Sequence, residues 1–259
     1  SMALALPILA MLAAWWISTG AILVLGERSR AARRAAMACV SLVAIAALAG
    51  TWLLRDVSGL WGAYAGAACA LTLWAWHEMS FLFGVITGPN RAACPADAAG
   101  WPRFRAAAGT LIHHELALAA TVGVLGVMSL GAGNAMCFFT FALLFALRLS
   151  SKFNLFFGAP HFTDSFLPGR LAYLQSYFSQ KPAGLFFAAT TSAIAALAGV
   201  LLWGAAGAET AFAAASLALL GALAALGAIE HLFLALPLPD AALWRWLLPA
   251  RDPRRTPDL

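Results

Sequence analysis

Apolar runs of about twenty residues recur along this chain, and each is long enough to cross the hydrocarbon core of a bilayer as a helix. No stretch alternates polar and apolar residues in the two-residue rhythm of a strand, so the runs read as helices whose backbone bonds are satisfied internally. Charge is correspondingly scarce. Only 10% of the 259 residues are charged, 63% are hydrophobic, and the mean hydropathy is +0.84. A soluble domain carries about 25% charged residues, so a soluble globule of this size is excluded.

Seven spans are expected, at Leu4–Gly26, Ala35–Leu54, Leu60–Gly84, Gly109–Leu130, Asn134–Leu149, Gly184–Ala206 and Ala208–Pro237. The fifth is short and can extend past Arg148. The expected fold class is all-α: a polytopic bundle of about seven transmembrane helices over residues 1–239, with an interfacial segment at 151–183. Residues 240–259 form a charged, proline-rich tail. Ser1 before Met2 reads as a residue left by tag removal, with Met2 as the natural start.

The net charge of +5 does not form a nucleic-acid patch, because the basic residues fall in short connections between spans. Fifteen of the 16 Lys and Arg residues gather on one side, leaving Arg55 on the other. By the positive-inside rule that side is cytoplasmic, which places the N-terminus outside and the C-terminus inside. The four cysteines are widely separated, three of them in apolar stretches, and read as small buried thiols.

Ionisable groups inside a span cost several kcal/mol and so mark function by default. Three clusters stand out: His77-Glu78, His113-His114-Glu115 and Glu230-His231. Given the alternating direction of the spans, all three lie roughly 8–10 Å inside the basic boundary at 1.5 Å per residue. Carboxylates with imidazoles suit iron, manganese or zinc, and bundles can hold two metals between facing helices. The candidate metal ligands are Glu78, His114, Glu115, Glu230 and His231. The spacing is neither Glu-x-x-His nor His-x-x-x-His, so other readings stay open: a structural polar network, a proton path, or histidine ligation of a tetrapyrrole. His77, His113, Asn154 and His161 are candidates for contacting such a cofactor. Arg148 and Lys152, one helical turn apart, can pair with Glu115 or Glu230, or serve as interfacial anchors. Together with Asn154, His161 and Asp164 they would cap the cluster at its basic side.

The segment from Phe153 to Phe178 holds six phenylalanines and two of the three tyrosines. Leu171, Leu174 and Phe178 share a helical face, which suggests a short helix in the headgroup plane, either a membrane anchor or a docking face.

Several stretches together resemble a known family. They are Trp76-His77-Glu78 with Ser80-Phe81-Leu82, then His113-His114-Glu115, then Leu147-Arg148-Leu149-Ser150-Ser151-Lys152 with Asn154-Leu155 and Gly158. Leu167-Pro168, Tyr177-Phe178 and Glu230-His231-Leu232-Phe233 followed by Leu236-Pro237 complete the set. On these the chain resembles the photosynthetic complex assembly protein 2 family (PuhE type) of phototrophic bacteria, over roughly residues 5–245. The resemblance implies a role in assembling the reaction centre and light-harvesting complex, or in bacteriochlorophyll supply. Its implied partners are those polypeptides or pigment-synthesis enzymes, and it carries over no catalytic residue. A second reading rests on the clusters alone: a di-iron-type (or Mn/Zn) membrane oxidoreductase acting on a lipophilic pigment or isoprenoid.

Overall fold

The structure, a computed structural model, describes residues 2–161 and 167–236. Eight α-helices make the bundle: α1 (Met2–Gly26), α2 (Arg30–Leu53), α3 (Leu60–Leu82), α4 (Gly100–Gly109), α5 (Ile112–Met128), α6 (Met136–Phe157), α7 (Leu185–Ala206) and α8 (Ala211–Ala235). A 3-10 helix spans Gly169–Tyr177. Five of these helices (α1, α2, α6, α7 and α8) are long and apolar enough to cross a membrane, and the bent pair α4–α5 makes a sixth. The protein is therefore an all-helical, multi-pass membrane protein.

Loop contacts show that successive helices reverse direction. At one end Asn134, just before α6, donates from its side-chain amide to the carbonyls of Val57 and Gly62 at 3.0 Å each. Arg55 reaches across the same end to the Leu130 carbonyl at 3.0 Å. At the other, arginine-rich end, Arg170 donates to the carbonyls of Leu82 (2.8 Å) and Gly26 (3.1 Å), where α3 and α1 finish. Those carbonyls have no partner within their own helices, and a cation there also faces the negative ends of two helix dipoles. Burial draws the Arg170 pKa below the ordinary guanidinium value.

α3, α6 and α8 pack together at the centre, with α1 and α7 against α8, α2 against α3, and α5 against α6. The buried side of α8 is lined by small residues, including Ala215, Ala218, Gly221, Ala222, Ala224 and Gly227. In lipid, where apolar surface gains little by leaving the solvent, association depends on such close backbone approach. Gly227 shows the constraint directly: a Cβ there would lie 2.6 Å from a methyl carbon of Leu147 on α6.

Three expectations need correction. The helix expected over Gly109–Leu130 is α5 (Ile112–Met128), and an unexpected helix, α4 (Gly100–Gly109), precedes it across a 70° bend. Residues 87–90 fill the break: the Thr87 carbonyl accepts from His114 N at 3.0 Å, and Asn90 N donates to Gly109 O at 2.9 Å. Only a glycine fits at 88, since a Cβ would sit 2.2 Å from the Gly109 carbonyl oxygen. Second, α6 runs on to Phe157, so the start of the expected interfacial segment 151–183 is transmembrane-type helix. Third, the expected headgroup-plane helix is a 3-10 helix that turns Leu171, Leu174 and Tyr177 inward, with Leu171 and Leu174 packed on Phe81 at the end of α3. Its apolar face is covered by the protein itself. Asp164 and the tail at 240–259 lie outside the described residues.

Candidate functional site

Helix α6 organises the site, because its extra turns carry Arg148, Ser150, Ser151, Lys152 and Asn154 into the bundle. Arg148 Nη2 donates to Glu78 Oε2 on α3 at 3.1 Å. One turn further, Lys152 Nζ pairs with Glu115 Oε1 on α5. Both carboxylates are largely buried, with side-chain exposures of 11% and 13%. A charge withdrawn from water to this degree is tolerable only beside its counter-charge. Among the described residues the third carboxylate, Glu230, has no cation in hydrogen-bonding contact. Instead the Trp15 indole on α1 donates to Glu230 Oε1 at 3.0 Å.

The histidines divide three ways. His231 is fully buried, with Nδ1 2.7 Å from the Gly227 carbonyl and Nε2 2.8 Å from the Ser150 hydroxyl. A carbonyl only accepts, so Nδ1 carries the proton and, in the neutral ring, the serine donates to Nε2. His77 Nε2 lies 2.9 Å from Thr121 Oγ1, whose own proton goes to Ala117 O. His114 is 1% exposed and stacks on Phe81 at 4.6 Å between ring centroids. Among the described residues neither of its ring nitrogens has a hydrogen-bond partner.

Trp15, Glu78, His114, Arg148, Lys152 and Glu230 border a cavity of about 390 Å³. Its polar groups, Glu78, His114, Arg148, Lys152 and Glu230, form a belt across it. Along the helices the belt is flanked by apolar lining on both sides, Trp74, Leu144, Leu147, Leu223 and Leu226 before it and Phe81, Leu82, Leu155, Phe233 and Leu234 after it. α1 closes one side through Trp15, Ser18, Thr19, Ile22 and Leu23, and Leu167, Leu174 and Phe178 complete the lining. A space of this size falls at the small-molecule end of ligand pockets, apolar with a few convergent polar groups.

Of the residues singled out from sequence, Glu78, His114 and Glu230 line this cavity directly. Glu115 joins it through Lys152, and His231 through Ser150 on α6. Others are elsewhere. His113 is exposed, as a 100° rotation from His114 requires. His161 is exposed as well, and only its backbone N contacts the site's helices, at Leu234 O (3.3 Å). Asn154 is buried but touches no carboxylate. Its amide bonds to the Ser150 carbonyl at 3.0 Å and the Thr190 hydroxyl at 3.1 Å, tying α6 to α7. His77 faces Thr121 on α5 and does not line the cavity.

The sequence reading missed Trp15 and the pairing of Arg148 with Glu78. Trp15 carried a signal: an indole in the middle of an apolar span, away from the interface belt, needs an acceptor for its N–H. Among the described residues no group of three or more His, Cys, Asp or Glu side chains is placed to hold a metal ion. The three carboxylates are instead engaged by Arg148, Lys152 and Trp15.

Comparison with known proteins extends over nearly the whole chain. The "Uncharacterized 30.4 kDa protein in puhA 5'region" of Rhodobacter capsulatus is 37% identical over 247 residues, covering 93% of this chain and 90% of that protein. No solved structure matches. A family model described as "Protein of unknown function (DUF3623)" matches residues 2–255, and the chain belongs to that family.

Proposed function

We propose that this protein is a membrane factor for assembly of the photosynthetic reaction centre and light-harvesting complex, acting on the complex itself or on its supply of bacteriochlorophyll. The observation that carries the reading is the name of the 37% identical relative, which puts that protein in the puhA 5' region. The resemblance of residues 76–82, 113–115, 147–158 and 230–237 to the assembly family supports it from the sequence side. In this proposal the chain crosses a bacterial inner, intracytoplasmic membrane seven times. α3 counts as a span, the N-terminus lies outside, and the arginine-rich end faces the cytoplasm.

The polar cluster then has a defined task. Two ion pairs fix α3 and α5 against α6, and a carboxylate–indole bond fixes α1 against α8, around a cavity. Buried polar pairs are well suited to fixing register, since any rotation strands a charge in a dry medium. The oxidoreductase reading is not carried forward, because the carboxylates it would need as bridging ligands are bound to Arg148, Lys152 and Trp15.

In-frame deletion of the gene in its native host, followed by near-infrared absorbance of the membranes, tests the proposal. Loss of the reaction-centre and antenna bands per unit membrane protein is expected. Unchanged bands under phototrophic growth overturn it.

A further inference from the structure

The cavity has an amphipathic lining in which both cations are already paired. Arg148 is answered by Glu78 and Lys152 by Glu115, so neither cation is left over for an anionic head group. Glu230 adds a further negative charge to the same wall, and an acid entering there would meet repulsion. The unmet need lies at His114, 99% buried, bordering the cavity, with no hydrogen-bond partner for either ring nitrogen among the described residues. A buried polar group left unpaired is destabilising. A neutral imidazole offers one donor and one acceptor, and an oxygen held at the polar belt of the cavity would satisfy it once the ring turns a nitrogen towards the cavity. Next to the belt the walls are leucine and tryptophan, which favour a ring and a hydrocarbon tail.

We infer that this cavity is a binding site for a neutral prenyl lipid with an oxygen-bearing ring at its head, the quinone and quinol class, whose head oxygen bonds to His114. The tail lies along Leu144, Leu147, Leu223 and Leu226, and the head ring sits near Trp74 and Trp15. The inference stands on the cavity and does not depend on the assembly reading.

Binding of tritiated decylubiquinone to the purified full-length chain in phosphatidylcholine nanodiscs tests it, with empty nanodiscs subtracted. Saturable binding of one molecule per chain is expected. Ala75→Phe, which fills the cavity, should abolish it. His114→Leu should weaken it about tenfold, the loss of one buried hydrogen bond, and His114→Gln should recover part of that loss. If Ala75→Phe fails to elute as the wild type does, Thr19→Phe fills the cavity from α1 and replaces it. Equal binding by the filled variant, non-saturable uptake, displacement by a long-chain amine or fatty acid but not by unlabelled quinone, or displacement by a porphyrin alone each overturns the inference.

Discussion

A single guanidinium decides much of the chemistry at the residue scale. Arg148→Met leaves Glu78 facing the cavity without its cation, and removing one partner of a buried pair costs about 3–5 kcal/mol. The Arg148 side chain keeps 43% of its surface accessible, so screening should reduce this to about 1–3 kcal/mol. The paired change Glu78→Gln with Arg148→Met should lose less than Arg148→Met alone, because no charge is then stranded. Thermal unfolding in mild detergent reads both, and a double variant weaker than the single one contradicts the assignment. Sequence alone carried the presence of Glu78, Glu115 and Glu230 in apolar surroundings, since their cost makes them conspicuous. It also offered Lys152 to Glu115, but not Arg148 to Glu78 or Trp15 to Glu230. Depth follows from counting residues, but rotation about a helix axis comes from packing, which is why His113 and His114 part company.

Individual elements were legible where hydrophobicity alone defines them. α1, α7 and α8 end within a few residues of the expected bounds, because long apolar runs bounded by Gly, Pro or charge leave little choice. α6 was underestimated for a physical reason: Arg148 and Lys152 look like the end of a span until their counter-ions on α3 and α5 are known. The start of α5 was legible near Gly109, but α4 before it was not, because residues 100–109 are a short run that holds Arg103 and Arg105. The bend that joins the two helices is stabilised by residues 87–90 from another part of the chain. Gly88→Ala should therefore disturb the break, and with it His114, whose backbone amide is held by Thr87. It is expected to cost about 1–3 kcal/mol, the range for overpacking. A wild-type melting temperature for Gly88→Ala contradicts this. At the arginine-rich end, Arg170→Ala removes both carbonyl contacts that tie the ends of α1 and α3. A loss of about 1–2 kcal/mol is expected in the same assay.

For the whole molecule, the sequence conveyed an all-helical membrane protein with one arginine-rich end, and the structure agrees on both points. Placing that end in the cytoplasm remains part of the proposal and makes a direct prediction. With the four native cysteines replaced, Glu209→Cys in the α7–α8 turn should react with an impermeant maleimide added outside spheroplasts. Arg30→Cys should react only after the membrane is opened. The reverse pattern contradicts the orientation.

The central claim is that a polar cavity held by Glu78, Arg148, Lys152 and Glu230 serves the photosynthetic complex. Complementation of the deletion strain tests it most directly, with reaction-centre absorbance read per unit of inserted protein. The wild-type gene should restore the band, while Arg148→Met, inserted to the same level, should leave it near the deletion value. Full restoration by Arg148→Met would contradict the account.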